Sequence, residues 1–258
     1  MIDVDGLISA GRGAKATVGI GLTGSALRAT VDAMAPTSGG IQVWGFDDPV
    51  SMVRALEKGE IDAAIRGSMS SSEVLKALKA SFGLMAIQRV AVMSSAEGRR
   101  FLLAPVGIDE GAHADARLKL ATAISSYFSP LGWKLKVGVL SKGRLEDRER
   151  GNDIRRSIDE GEALTSKLVA AGLQAKHHTI LIEDAVRESD LVLAPDGVSG
   201  NLIFRTLHFV GGHEAYGAPV VNIPRVFVDT SRAKADFSAA VLLAAGLVQK
   251  GVRPGGRA

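Results

Sequence analysis

Along this chain, short apolar runs alternate with segments whose apolar residues recur at helical spacing, and that alternation admits few folds. The strand-like runs are Ala16–Leu22, Ile41–Gly45, Ile61–Arg66, Arg89–Met93, Leu135–Leu140, His178–Ile182, Leu191–Ala194 and Arg225–Val228. Between them lie helical stretches at Gly24–Ala35, Val50–Lys58, Ser71–Ser81, Ala114–Tyr127, Leu202–Phe209 and Asp236–Lys250. Strand followed by helix, repeated, predicts an α/β protein with a largely parallel sheet. Gly59, Gly83, Gly132, Gly172 and Gly251 follow periodic segments at the place where a helix ends on a left-handed residue.

At 258 residues, 46% hydrophobic and 23% charged, the chain suits one large or two small domains with a substantial core. It has no cysteine, which excludes disulfides, thiolate zinc sites and a cysteine nucleophile. The start, Met1-Ile-Asp-Val-Asp-Gly6, lacks the basic-then-apolar pattern of a secretory signal. The longest apolar run, Phe237 to Val248, falls short of the roughly 20 residues a membrane span needs and reads as a buried helix. The expectation is a cytoplasmic protein. The net charge is +3, but acids and bases are interspersed and there are two tryptophans and two tyrosines to stack on bases, so nucleic acid is not an expected partner. The charged run Ser141–Glu162 is expected to form a solvated, mobile loop or a flap at a cleft edge, and the tail Arg253–Ala258 to fray.

Four junctions carry chemistry. Asp190 to Leu207 contains an apolar run, a break at Pro195-Asp196, glycines at Gly197 and Gly200, and an amphipathic segment from Asn201. A polar loop entering a helix N-terminus favours an anion such as phosphate. Asp62 to Glu73 is a second strand–loop–helix junction. There Ser70 or Ser71 serves as a helix cap with Glu73 in support, or else Arg66 and the hydroxyls of Ser68, Ser70, Ser71 and Ser72 cradle a phosphate or acyl phosphate. Val228-Asp-Thr-Ser-Arg232 ends a third strand, where Arg232 offers a two-pronged donor beside the Ser231 hydroxyl, or is merely a surface arginine. Val18 to Ser25 has the G-x-G-x-x-G spacing, with Asp47 after the next strand, and keeps a nicotinamide dinucleotide site open as an alternative. The histidines show no metal-ligand spacing, so no metal is expected.

Taken in order, these loops resemble those of the phosphate acetyl/butyryl transferase family over about residues 16 to 250. Asp62 to Leu75 resembles the family's strand, loop and helix; Val137 to Ser141 its strand ending Leu-Ser; Pro195-Asp196 with Gly200-Asn201 its P-D-x-x-x-G-N; Gly212 to Gly217 its glycine–alanine stretch; and Ser231-Arg232 its terminal Ser-Arg. Asp196 to Asn201 also looks like the loop of the acyl-phosphate transferase of phospholipid synthesis. In size and in the charged run after Ser141, the chain is most similar to short phosphotransacetylase-like proteins of methanogens, sometimes labelled methyltransferase subunit X.

The resemblance implies an isocitrate/isopropylmalate-dehydrogenase-like fold of two α/β domains around a cleft. Residues 1–104 and 225–258 would form the first domain, and 105–224 a second, dimerising one. It implies transfer of an acyl group between coenzyme A and phosphate, coenzyme A being a substrate and no cofactor permanently bound. Ser231 would lie beside the reacting thiol and carbonyl, and Arg232 would bind phosphate. Arg66, Gly67, Ser70 and Ser71 would line one wall, and Ser141, Asp196, Gly200 and Asn201 the other. The family's loop histidine is Ser70 here, and its aspartate seven residues after the serine is Ser238, leaving Asp236 as the available base. A second expectation follows from these departures: an accessory protein, kept for binding, beside methyltransferase subunits.

Overall fold

A computed structural model of the chain describes residues 2–22, 24–34, 39–232, 234 and 236–252. Thr23 of the glycine-rich loop, Ala35 of the first expected helix and the tail 253–258 lie outside them. In chain order the elements are α1 (Val4–Arg12), β1 (Ala16–Ile20), α2 (Gly24–Met34), β2 (Ile41–Gly45), α3 (Pro49–Lys58), β3 (Ala63–Ile65), α4 (Ser71–Phe82), β4 (Ala91–Ser94), β5 (Arg100–Ala104), α5 (Ala114–Phe128), β6 (Lys136–Leu140), α6 (Asn152–Ala170), β7 (Gln174–Thr179), α7 (Ile182–Glu188), β8 (Leu191–Leu193), α8 (Gly197–Arg205), β9 (Glu214–Pro219), β10 (Val226–Asp229) and α9 (Ser238–Gln249). The fold is α/β, as the alternation predicts; the sheet is mixed, with β9–β10 and β4–β5 pairing antiparallel.

The chain forms two compact units. A terminal unit holds residues 3–87 and 216–258, and a central unit holds 88–215 with residues 1–2. These bounds differ from 104/105 and 224/225, and strand pairing explains why. β4 pairs antiparallel with β5, and β5 pairs parallel with β8, so residues 88–104 go with the central unit. Val220 and Ile223 pack in one cluster with Met52, Leu56, Leu78 and Phe227, which draws residues 216–224 into the terminal unit.

In the terminal unit the strands run in the order β2-β1-β3-β10-β9. The first four are mutually parallel and β9 is antiparallel to β10. α9 supplies most of the cover as expected, burying Ala240, Val241, Leu243, Ala244, Ala245 and Leu247. α1, which the sequence pattern did not suggest, lies against it. Their backbones touch through two glycines: a Cβ on Gly11 would strike the Leu242 carbonyl, and one on Gly246 the Leu7 carbonyl.

In the central unit the order is β4-β5-β8-β6-β7, with β5, β8, β6 and β7 parallel. The expected strand His178–Ile182 is displaced: β7 ends at Thr179 and Ile182 opens α7. β7 is the edge strand, exposing Gln174 and Lys176, so it carries no continuous apolar run to mark it.

The charged run 141–162 is not a mobile loop. Leu145–Arg150 forms a 3-10 turn and α6 begins at Asn152. Arg148 pairs with Asp159 at 3.2 Å and Glu162 at 2.5 Å, and Arg150 with Asp147 at 3.1 Å. Such pairs are individually weak in solvent, but here Arg148 is shared by two acids of α6.

Gly59, Gly83, Gly132, Gly172 and Gly251 all have positive φ, as their helix-stop positions predict. Among the described residues no helix is long and apolar enough to cross a membrane. Gly11→Ala and Gly246→Ala are each expected to lower stability by about 1–3 kcal/mol through overpacking of the α1–α9 contact, read by urea denaturation.

Candidate functional site

Because β1, β3 and β10 are parallel neighbours, their carboxyl ends leave the sheet at one edge, where open α/β sheets bind ligands. Three chain segments meet there. The Gly21 N–H donates to the Ile65 carbonyl and the Ser68 N–H to the Gly21 carbonyl, both at 3.1 Å. The Arg66 N–H donates to the Val228 carbonyl at 3.1 Å, and the Thr230 hydroxyl to the Gly67 carbonyl at 3.0 Å. Gly67 has φ +61°, and a Cβ on it would sit 2.5 Å from the Gly21 carbonyl. Gly21 itself abuts the Arg66 carbonyl and the Met69 sulfur. A side chain at either glycine would push the segments apart.

The expected residues of this unit occupy the edge as follows. Arg66 is buried, its Nε donating to Asp229 and its second donor to the Met69 carbonyl at 2.9 Å. Ser70 stands at the N-cap position of α4, yet its hydroxyl pairs with that of Ser72 at 2.9 Å and makes no capping bond. The capping expectation is thereby corrected: the first turn of α4 points its positive end at the edge without a side-chain oxygen from Ser70 on it. Ser71 begins the helix. Ser231 is partly buried and Arg232 exposed, directly after Thr230. Asp236 is exposed, accepting from the Ser238 N–H at 2.8 Å and the Ser238 hydroxyl at 2.7 Å, which ties it to the start of α9.

Two of the three glycines of the G-x-G-x-x-G segment are filled by protein, while Gly24, with φ +68°, has open space where a Cβ would sit. Gly19 faces the Ile61 side chain, 2.5 Å from its would-be Cβ, and Phe46 at 3.0 Å, while Gly21 is closed by the loop after β3. Gly19 and Gly21 are close-packing glycines, the bland reading of the motif at those two positions.

In the central unit the remaining expected residues hold the loops after β5, β6 and β8. Asp196 caps α8, accepting from the Ser199 N–H at 2.7 Å, and pairs with the Lys142 amine at 3.1 Å. The helix therefore starts at Gly197, four residues before the amphipathic segment suggested. Burial pushes the Asp196 carboxyl up, but its bonds from Ser199 and Lys142 outweigh that and hold it below the usual carboxylate range. Gly200 has no side chain because the Pro105 carbonyl occupies the space, and the Asn201 amide donates to the Val106 carbonyl at 2.8 Å. Ser141 donates to the Gly143 carbonyl at 3.0 Å, and its oxygen lies 3.0 Å from His177 Nε2. Burial pushes the His177 pKa down, so the imidazole is neutral at pH 7. Arg117, 1% exposed, pairs with Glu160 at 2.6 Å.

Asp229, Thr230, Lys142 and His177 escaped the sequence reading. Asp229 and Thr230 were visible as the residues just before Ser231-Arg232, but their partners lie 163 positions away. Among the described residues no group of three or more histidines and carboxylates is placed to hold a metal ion.

The fold is that of the phosphotransacetylases. A branched-chain phosphotransacylase from Enterococcus faecalis superposes with a TM-score of 0.67 at 17% identity, over 91% of this chain and 99% of that one. A phosphotransacetylase from Streptococcus pyogenes gives 0.68 at 12% identity, over 95% and 98%. No family model matches the sequence. A relative from Methanosarcina mazei, named "Putative methyltransferase mtx subunit X", is 44% identical over 209 residues, covering 81% of this chain and 75% of the relative. The chain belongs to this family of methanogen mtx subunit X proteins.

Asp196→Ala is expected to destabilise the protein by about 1 kcal/mol at pH 7 through loss of the α8 cap. Since the folded carboxyl titrates below its unfolded value of about 3.9, that stabilisation is complete above pH 4 or so and is lost as pH falls through the lowered folded value. Urea melts of both proteins should therefore converge in acid.

Proposed function

We infer that this protein is a phosphate acyltransferase-like enzyme that moves an acyl group between coenzyme A and phosphate at the carboxyl edge of β1, β3 and β10. The observation that carries this reading is the meeting of the Arg66–Ser72 and Asp229–Arg232 segments at one edge, tied by the Thr230–Gly67 bond. The fold shared with phosphotransacetylases supports it.

In the thiol-attack direction the sulfur of coenzyme A bonds to the carbonyl carbon of an acyl phosphate, the carbon–oxygen bond to phosphate breaks, and the thiol proton passes to a base. Arg232 is exposed, carries a fixed positive charge and matches the geometry of a leaving phosphate. The Ser231 hydroxyl donates to the developing oxyanion, and the free N–H groups at the start of α4 lie beside Ser70 and Ser71, with Glu73 as an acid in the same turn. Asp236 lies five residues after Ser231, and the nearer Asp229 is already engaged by Arg66; to accept the proton Asp236 gives up one of its bonds from Ser238.

The isocitrate/isopropylmalate-dehydrogenase-like type of fold, a homodimer, a cytoplasmic setting, and a wall contributed by Ser141, Asp196, Gly200 and Asn201 belong to the same proposal. No resident cofactor or metal is required; coenzyme A and the acyl phosphate are substrates.

A second reading is favoured by the relatives' printed names and by Asp236 being held at the start of α9: an accessory subunit of a methyltransferase system that binds without turning over. The two are separated by assaying phosphate-dependent release of free thiol from acetyl-, propionyl- and butyryl-coenzyme A. The enzyme reading expects turnover, reduced about 100-fold in kcat/KM by Arg232→Ala, the scale of losing one oxyanion donor. No turnover with any of these, together with a stable complex with methyltransferase subunits, would replace it with the second.

A further inference from the structure

Two segments of the terminal unit, 163 residues apart in sequence, are joined at the edge by a buried charge pair. Arg66 and Asp229 are 6% and 7% exposed. The Arg66 guanidinium spends one donor on the Asp229 carboxylate and another on the Met69 carbonyl at 2.9 Å. The same Asp229 oxygen accepts the Thr230 N–H at 2.9 Å, and the Thr230 hydroxyl returns to the Gly67 carbonyl at 3.0 Å. The bonds close a ring: Arg66 to Asp229, along the chain to Thr230, across to Gly67, and back along the chain to Arg66. Ser70 lies just beyond one side of that ring and Ser231 just beyond the other.

We propose that Arg66 and Asp229 are a positioning pair, a charged strap that sets the loop 67–72 against Thr230-Ser231-Arg232, and that Arg66 is not itself a ligand contact. A planar guanidinium has donors in fixed, divergent directions, so one side chain reaches both the carboxylate and the loop carbonyl; a lysine has no such fork. Asp229 neutralises the Arg66 charge within the protein, which leaves Arg232 as the exposed cation of this segment for an incoming oxyanion. The inference rests on the reading that this edge holds an oxyanion, and it changes the role expected of Arg66 from phosphate cradle to scaffold.

Removing one partner alone leaves an unpaired buried charge and destabilises the whole unit, so the informative variant is the double one, Arg66→Met/Asp229→Asn. Methionine fills the stem's volume, and asparagine still accepts the Thr230 N–H. Two measurements on the full chain decide the matter: amide hydrogen exchange across residues 67–72, and titration with inorganic phosphate. The double variant is expected to melt near the wild type while the 67–72 amides exchange about tenfold faster, the scale of one lost charged hydrogen bond, and while phosphate binds correspondingly more weakly. Unchanged exchange in 67–72 overturns the strap. Faster exchange in a protein whose wild type binds no phosphate keeps the strap and overturns the oxyanion reading of the edge. Should the double variant not fold, Arg66→Lys keeps the buried charge and yields the same two readouts.

Discussion

The geometry of the terminal unit depends on β10 lying parallel to β3. That pairing, Val226 to Val228 alongside Ala63 to Ile65, joins a strand near the end of the chain to one near its start. Parallel neighbours cannot be linked by a tight turn, and here the connection between them includes the whole central unit. What the pairing secures is direction: β2, β1, β3 and β10 present carboxyl ends on one side, so loops from remote parts of the sequence emerge as neighbours. Backbone hydrogen bonds then lock those loops before any side chain is considered. Gly21 and Gly67 follow from this, for the segments approach so closely that only residues without a Cβ fit between them.

Most strands were legible in the sequence because they are short, apolar and bounded by turns, the edge strand β2 among them. β1, β2, β3, β8 and β10 all fall within or beside the predicted runs. What was hidden had physical reasons. α6 was concealed by its own charges: its buried stripe of Ile158, Gly161, Leu164 and Leu168 has helical spacing, but acids and arginines crowd around it and a glycine interrupts it. That glycine is where His177 packs, its Nε2 2.6 Å from the would-be Cβ, so the gap in the pattern is a contact. β7 carried too little apolar character, being an edge strand. β5 follows β4 through the Ser95–Arg99 turn, closed by the Ser95 N–H on the Arg99 carbonyl at 2.8 Å, and sequence spacing alone had left it unassigned.

Of the candidate site, the motif-bearing residues were legible and their tethers were not. Ser70, Ser231 and Arg232 stand out because hydroxyls and an arginine cluster after strands. Asp229 draws no notice in the sequence and Arg66 reads as a donor to phosphate; only the β3–β10 pairing makes them partners. Several residues of the central unit that read as ligand contacts turn out to have local duties as well. Asp196 caps a helix, Asn201 holds the Val106 carbonyl, and Gly200 makes room for Pro105. A polar residue at a strand–helix junction commonly serves the fold and the ligand with different atoms, and sequence alone does not separate the two.

The α1–α9 contact reaches beyond packing. Two helices more than two hundred residues apart in sequence bury each other, so the terminal unit has no finished interior until α9 has left the ribosome. The central unit, nearly continuous from 88 to 215, has all its strands available earlier and is free to fold first. Synthesis thus holds residues 3–87 in waiting, with the sheet edge beside β3 unpaired until β10 arrives. For as long as that lasts, the nascent chain carries an open strand edge of the kind that chaperones shield.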